Sequence, residues 1–320
     1  MKITVIGPGR WGSFIAWYLD RSGHEVTLYG REGSKNIEQF MRNRSNGLIT
    51  LPQSLQVVTS LESLQTAEII VVSIGSQGLR KLLAGLDPQV VADKTFVLCM
   101  KGLEIGSGKR LSQVAAESLP ESCKVAVWIG PGHVQEFYAG IPNCMVIDSD
   151  DAATKQLLVQ EFSGDLIRFY YGTDLIGNEI GAASKNVIGI AAGMLDGANL
   201  STLKGALMSR GTREIARLIK AMGGNELSAY GLCHLGDYEA TVFSKFSHNR
   251  QFGESFIKKE AYDQLAEGYY TVQALMDLEK QYQVELPICR SVYEILYEEE
   301  EPALALNELF GRSLKDEFYA

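Results

Sequence analysis

Lys2-Ile3-Thr4-Val5-Ile6-Gly7-Pro8-Gly9-Arg10-Trp11-Gly12 decides how the rest of this sequence is read. A β-branched run of strand character passes directly into three glycines spaced Gly-x-Gly-x-x-Gly, and the amphipathic stretch Trp11–Ser22 follows. In that context Gly7 makes the tight turn, Gly9 lets backbone approach a pyrophosphate, and Gly12 permits close packing of helix on strand. The first turn of the helix, with Arg10 and Trp11 in it, offers amide donors and a positive dipole end to phosphates. The stretch predicts a dinucleotide site at the carboxyl end of the first strand.

Outward from that point the first half of the chain alternates short apolar runs with helical patterns. Candidate strands are 3–6, 26–29, 56–59, 69–73, 95–99, 125–129, 144–147 and 166–170. Helical stretches such as 77–86 and 111–119 lie between them. This alternation predicts βαβ units on a doubly wound, mainly parallel sheet of Rossmann type, an α/β fold. After Gly172 the character changes: 174–195, 201–222, 261–284 and 288–298 carry helical periodicity and no strand pattern remains. The expected organisation is a dinucleotide-binding domain over 1–172 and an all-α domain over 173–320. The acidic run Glu298–Glu301 reads as a solvated helix end.

Composition narrows the function. At 320 residues the chain exceeds the size of one hydrophobic core, consistent with two domains. A net charge of −9 opposes a large nucleic-acid footprint, although a pocket can still gather positive charge locally. Cys99, Cys123, Cys144, Cys233 and Cys289 are scattered without a Cys-x-x-Cys pair, which suits a reducing compartment. His24, His133, His234 and His248 show no ligand spacing, so no metal site is expected. The first residues lack the basic and apolar regions of a signal peptide, and no apolar run approaches the roughly 18 residues of a membrane span. A cytoplasmic location is expected.

Two cations stand out. The second strand ends Leu28-Tyr29-Gly30-Arg31, with no acid at the strand end to hold ribose hydroxyls, although Glu32 follows. Arg31 can meet a 2′-phosphate, so the cofactor is expected to be NADP or NAD with a slight preference for NADP; a surface arginine without a role is the alternative. Lys185 shares its helix face with Gly181, Ala182, Ile188, Gly189 and Ala192, all small or apolar. A lysine so placed points into protein or a cleft, where a partner or a shifted pKa suits proton exchange with an alcohol or carbonyl. The alternative is a lysine that snorkels past a small-residue helix contact.

With these residues in hand, the chain resembles the NAD(P)-dependent glycerol-3-phosphate dehydrogenases along nearly its whole length. The likeness rests on the tryptophan-containing glycine loop, Ser76-Gln77-Gly78-Leu79-Arg80, Lys101-Gly102-Leu103-Glu104, Gly130-Pro131 with Glu136, and Ser184-Lys185-Asn186-Val187. Arg210-Gly211, Gly223-Gly224, Leu235-Gly236-Asp237, Asn249-Arg250-Gln251-Phe252-Gly253 and Glu267-Gly268 continue it. The resemblance implies interconversion of dihydroxyacetone phosphate and sn-glycerol 3-phosphate, feeding glycerophospholipid synthesis, by a homodimer. It implies that Lys185 transfers the proton, Lys101 holds and polarises the substrate, and Asp237 accepts a hydrogen bond from hydroxyl or ammonium. Further implied substrate contacts are Gly130, Gly132, Ser247, His248, Asn249 and Arg250. Implied cofactor contacts, besides the glycine loop and Arg31, are Ser76, Lys101, Val134, His248 and Glu267. Solvation of Lys101 and helix capping by Asp237 are the plainer alternatives.

The match departs from the family pattern at two positions. Gly130-Pro131-Gly132 replaces Gly-Pro-Ser, removing a hydroxyl that touches the substrate. His248 replaces the arginine before the phosphate-loop asparagine, and histidine is the poorer permanent cation. If His248 holds the phosphate, affinity falls as pH rises through the histidine range; if Arg250 supplies the charge, affinity is flat there. These departures leave open another small hydroxy or oxo substrate on the same fold. A catalytically silent dinucleotide-binding protein is a third reading, opposed by the joint presence of Lys101, Lys185 and Asp237.

Overall fold

In the computed structural model, residues 1–314, 316 and 317 are described. Eight strands form one sheet: β1 (Lys2–Ile6), β2 (Glu25–Tyr29), β3 (Gln56–Val58), β4 (Ile69–Val72), β5 (Thr95–Leu98), β6 (Lys124–Ile129), β7 (Asn143–Asp148) and β8 (Ile167–Tyr171). Their order is β3-β2-β1-β4-β5-β6-β7-β8. The pairs are parallel except β6 with β7, so β7 and β8 run against the other six. The chain winds outward from β1 through β2 to β3, then returns past β1 to β4. This reversal creates a crevice at the carboxyl ends of β1 and β4, the place where open α/β sheets bind ligands.

The inner strands are buried on both faces, which is why they read as unbroken apolar runs. Ile69 and Val71 join Phe14, Trp128 and Phe162 in the core on one face, whereas Ile70 and Val72 join Leu98, Val114 and Ala182 on the other. Ala182 belongs to the helical half, so that half packs directly against the sheet. Buried Glu179 fixes the contact: it pairs with Arg110 at 2.5 Å and accepts from the Ser112 amide at 2.9 Å.

Beyond β8 the elements among the described residues are all helices, the last ending at Gly311; positions 315 and 318–320 of the expected helical domain lie outside the described residues. The stretch expected from Ala261 becomes a helix only at Glu267 and runs to Tyr282. The acidic run is a link rather than a helix end alone, because one helix stops at Tyr297 and Glu301 caps the next by accepting from the Leu304 amide.

The 23-residue helix Leu175–Gly197 is the axis of this half, and the helix His248–Lys258 crosses it almost backbone to backbone. A Cβ on Gly193 would lie 1.9 Å from the Arg250 carbonyl oxygen, and one on Gly253 would lie 2.1 Å from that of Ile190. Elsewhere in a helix, alanine for glycine is favourable by about 1 kcal/mol. At this crossing the sign reverses, and Gly193→Ala is expected to destabilise the protein by about 3 kcal/mol through overpacking. A thermal melt at or above the wild-type temperature would show that the two helices do not meet this closely.

Candidate active site

The crevice gathers residues from the carboxyl ends of four strands and from the helical half. Arg10 and Trp11 follow β1, Ser73 and Ile74 follow β4, Met100 and Lys101 follow β5, and Gly132 and His133 follow β6. Lys185, Asn186, Asp237, Thr241, Ser247, His248, Asn249 and Glu267 close it from the other side.

At its centre two ammonium groups share one carboxylate. Asp237 Oδ2 lies 2.5 Å from Lys185 Nζ and 2.8 Å from Lys101 Nζ. Asp237 is 1 % exposed and Lys185 6 %, so this pair stands almost outside solvent, whereas Lys101 is only partly buried. Lys185 also donates to Thr241 Oγ1 at 2.8 Å, and Lys101 to the Gly130 carbonyl at 2.6 Å. Burial pulls the Lys185 ammonium down to about 8; Asp237 opposes that shift and Lys101 adds to it. A lysine that titrates near neutrality can both give and take a proton.

Local structure sets this geometry. Asp237 ends a short 3₁₀ turn, and a π-helical turn, Glu239–Phe243, follows. There the Thr241 hydroxyl donates to the Asp237 carbonyl at 2.8 Å, which leaves its oxygen lone pair for Lys185. Asn186, beside Lys185, donates to the Lys101 carbonyl at 2.8 Å and accepts from Asn249 at 3.0 Å. Asn249 in turn accepts from the Gly268 amide at 2.9 Å. The two lysine-bearing segments are thereby tied through one amide to the helix of residue 249.

The residues fit a dinucleotide. Gly7 adopts φ +114°, and a Cβ on Gly12 would lie 1.9 Å from the Gly7 carbonyl oxygen, whereas one on Gly9 would meet nothing within 4 Å. The loop is therefore closed where it packs and open where a pyrophosphate approaches. No side chain caps the helix at Gly9, which leaves its first amides for a ligand. Trp11 Nε1, His133 Nε2 and Asp237 Oδ1 are buried without hydrogen-bond partners, and all three residues line the crevice. Buried polar atoms are normally satisfied, so partners for these are expected from bound molecules.

Comparison with known proteins agrees with this geometry. The family model for the N-terminus of NAD-dependent glycerol-3-phosphate dehydrogenase matches residues 2–155, and that for the C-terminus matches residues 174–307. The chain belongs to the NAD-dependent glycerol-3-phosphate dehydrogenase family. It is similar to glycerol-3-phosphate dehydrogenase (NAD(P)+) of Pelodictyon phaeoclathratiforme, 35% identical with 99% of each chain covered. It is also similar to that of Thermoanaerobacter sp., 33% identical over 100% of this chain and 99% of the relative. Glycerol-3-phosphate dehydrogenase of Coxiella burnetii superposes with a TM-score of 0.90 at 28% identity, covering 97% of this chain and 99% of that one. D-Mandelate dehydrogenase with NADH, at 17% identity and TM-score 0.61, shares the fold alone.

Within this dehydrogenase framework the structure brings together Lys101, Lys185, Asp237, Arg10, Trp11, Gly132, Ser247, His248, Asn249 and Glu267. Gly130 stands one step behind, reached through Lys101. Ser76 is buried and gives both its amide and its hydroxyl to Glu267, so these two expected cofactor contacts bind each other across the halves. Val134 opens a short helix and its side chain joins the apolar core instead of lining the crevice. Arg31 is exposed beyond β2.

Arg250 is not at the crevice. Its guanidinium pairs with Asp196 at 2.6 Å and Glu254 at 2.8 Å, because its place on the helix aims it away from the site. Ser247 accepts from the Arg250 amide as the helix N-cap. The missing hydroxyl at Gly132 has a steric cause: a Cβ there would sit 2.2 Å from the Phe137 ring. Sequence reasoning gave no role to Thr241, Asn186 or His133. The i, i+4 spacing from Asp237 marks Thr241, and adjacency to Lys185 marks Asn186; His133 carries no such mark.

Proposed function

We propose that this oxidoreductase interconverts dihydroxyacetone phosphate and sn-glycerol 3-phosphate, and that the Lys185–Asp237–Lys101 cluster performs the proton transfer. The observation that carries the reading is one buried carboxylate shared by two lysines at the carboxyl edge of the sheet. NAD or NADP, when bound, supplies or accepts the hydride at the substrate's central carbon. Lys185 then gives its proton to the carbonyl oxygen during reduction and takes it back during oxidation. Lys101 stabilises negative charge developing on the same oxygen. Asp237 and Thr241 keep the Lys185 ammonium aimed at one point, so no reorganisation is needed during reaction. The reading includes a homodimer in the cytoplasm whose product enters glycerophospholipid synthesis, as the resemblance implies. No helix among the described residues is long and apolar enough to cross a membrane.

Mixing the protein with dihydroxyacetone phosphate and NADH or NADPH tests the reaction. Substrate-dependent loss of cofactor absorbance is expected; silence with this substrate, and turnover of other small oxo compounds, would overturn it. The cofactor preference rests on Arg31, which is exposed at the end of β2 with no carboxylate bound to it among the described residues. Arg31→Ala is expected to raise the KM for NADPH about tenfold and leave that for NADH unchanged, since a charge-assisted contact to phosphate is lost. Equal KM changes for both cofactors would remove the 2′-phosphate assignment.

A further inference from the structure

We propose that Arg10, aimed by His248, binds the phosphate of the substrate, so that the permanent cation of this subsite stands on the glycine loop. The inference rests on the proposed reaction for its substrate, and adds which residue recognises the phosphate.

Among the charged residues lining the crevice, Lys101 and Lys185 share Asp237, and Glu267 is held by Ser76. Arg10 alone of the lining cations has no carboxylate partner among the described residues. Its hydrogen bonds go to neutral groups, His248 Nε2 at 2.7 Å and Gln135 Oε1 at 3.1 Å. The guanidinium is half-buried, and burial lowers its pKa, yet arginine stays charged. A charge withdrawn from water without a counter-ion is costly. The arrangement is explained when the counter-ion arrives with the ligand. A guanidinium has five N–H donors, so several remain after the bonds to His248 and Gln135.

His248 is the positioning partner rather than the cation. Arg10 can only donate, so Nε2 accepts, and the imidazole is neutral with its other nitrogen toward the Leu265 backbone. Burial, and next the Arg10 charge, hold its pKa below the ordinary histidine range. Neither expectation for the phosphate charge made from sequence therefore applies: His248 is uncharged and Arg250 is committed to Asp196 and Glu254. The cation lost at residue 248 reappears 238 positions away, in contact with the residue that replaced it.

Two further observations place an anion there. The Trp11 indole N–H and the Tyr262 hydroxyl are buried without partners; Trp11 adjoins Arg10, and Tyr262 acts electrostatically on it. His133, which lines the same crevice, feels the charges of Lys185, Asp237, Arg10 and Lys101, so Arg10 lies within electrostatic reach of the lysine cluster. A ligand with its carbonyl at Lys185 and a phosphate at Arg10 spans that space. The other source of phosphate is the cofactor's pyrophosphate, for which the uncapped amides after Gly9 are available.

The test is Arg10→Gln. Its KM for dihydroxyacetone phosphate should rise about a hundredfold, the loss of charged hydrogen bonds to one phosphate. That KM should rise far more than the Kd for NADH or NADPH does, because the cofactor's pyrophosphate has the amides after Gly9. Adding His248→Arg to that variant should restore most of the lost affinity, which a merely structural role for Arg10 does not predict. An unaltered KM overturns the proposal, and a loss of cofactor affinity in its place assigns Arg10 to the pyrophosphate. Calorimetry with inorganic phosphate separates this from the reaction itself. If the wild type binds phosphate and Arg10→Gln does not, the subsite stands even without turnover of dihydroxyacetone phosphate. If the two bind phosphate equally, it falls.

Discussion

Replacing Lys185 with methionine is expected to lower kcat for ketone reduction by about a thousandfold, the middle of the range for loss of a positioned general acid. Cofactor affinity should not change, because the proposed reaction sets this side chain against the substrate oxygen. Methionine keeps the apolar stem and removes only the ammonium, so packing against the small residues of the helix survives. Asp237 then retains Lys101 as its partner, which limits the cost in stability. The wild-type pH profile should carry the same signature. Burial brings Lys185 down to about 8, so the ammonium needed for reduction is present below that pH and is lost as pH rises through it. Oxidation needs the neutral amine, so its rate should rise through the same interval. The methionine variant should lose both limbs. Full activity in Lys185→Met, with the pH dependence intact, would falsify the assignment of proton transfer to this residue.

The features visible in the sequence and those hidden from it divide along a physical line. The inner strands were legible because a buried sheet leaves runs such as Ile69-Ile70-Val71-Val72, in which neither face is polar, and the edge strand β8 through its alternation of buried Ile167 and Phe169 with exposed Arg168 and Tyr170. The direction of β7 was not, since Asn143–Asp148 presents the same buried run whichever way it enters the sheet. The helix His248–Lys258 left no periodic trace: only Gly253 in it is buried, because the contact is made by backbone against glycine and needs no apolar stripe. Lys185 was legible for the converse reason, a charged residue standing on a face of small ones. The pairing of Arg10 with His248 joins the first residues of two helices that the fold alone brings together, and no local spacing encodes it. Thr241 stands four residues after Asp237, but its hydroxyl meets Lys185 through the π-helical turn that carries it.

Asp237→Asn should then have the second large effect, and of a different kind. The carboxylate is buried and touches both lysines through Oδ2, so a neutral amide of the same shape leaves two ammonium groups facing each other without compensation. Removing one member of a buried ion pair costs about 3 kcal/mol or more, and here one anion serves two cations. The system has one escape, which is to release the proton from Lys185. Asp237 holds the Lys185 pKa up against desolvation and the repulsion of Lys101, so its loss moves that pKa below about 8. Three readouts follow together: a lower melting temperature, a reduction rate down about a hundredfold at pH 7, and an alkaline limb displaced toward acid. The drop in melting temperature should shrink as pH is raised, because a neutral amine no longer needs the missing anion. A helix-capping role alone predicts the loss of stability without displacement of the limb. The pH profile of the asparagine variant, rather than its residual rate, therefore distinguishes a shared counter-ion from a structural cap.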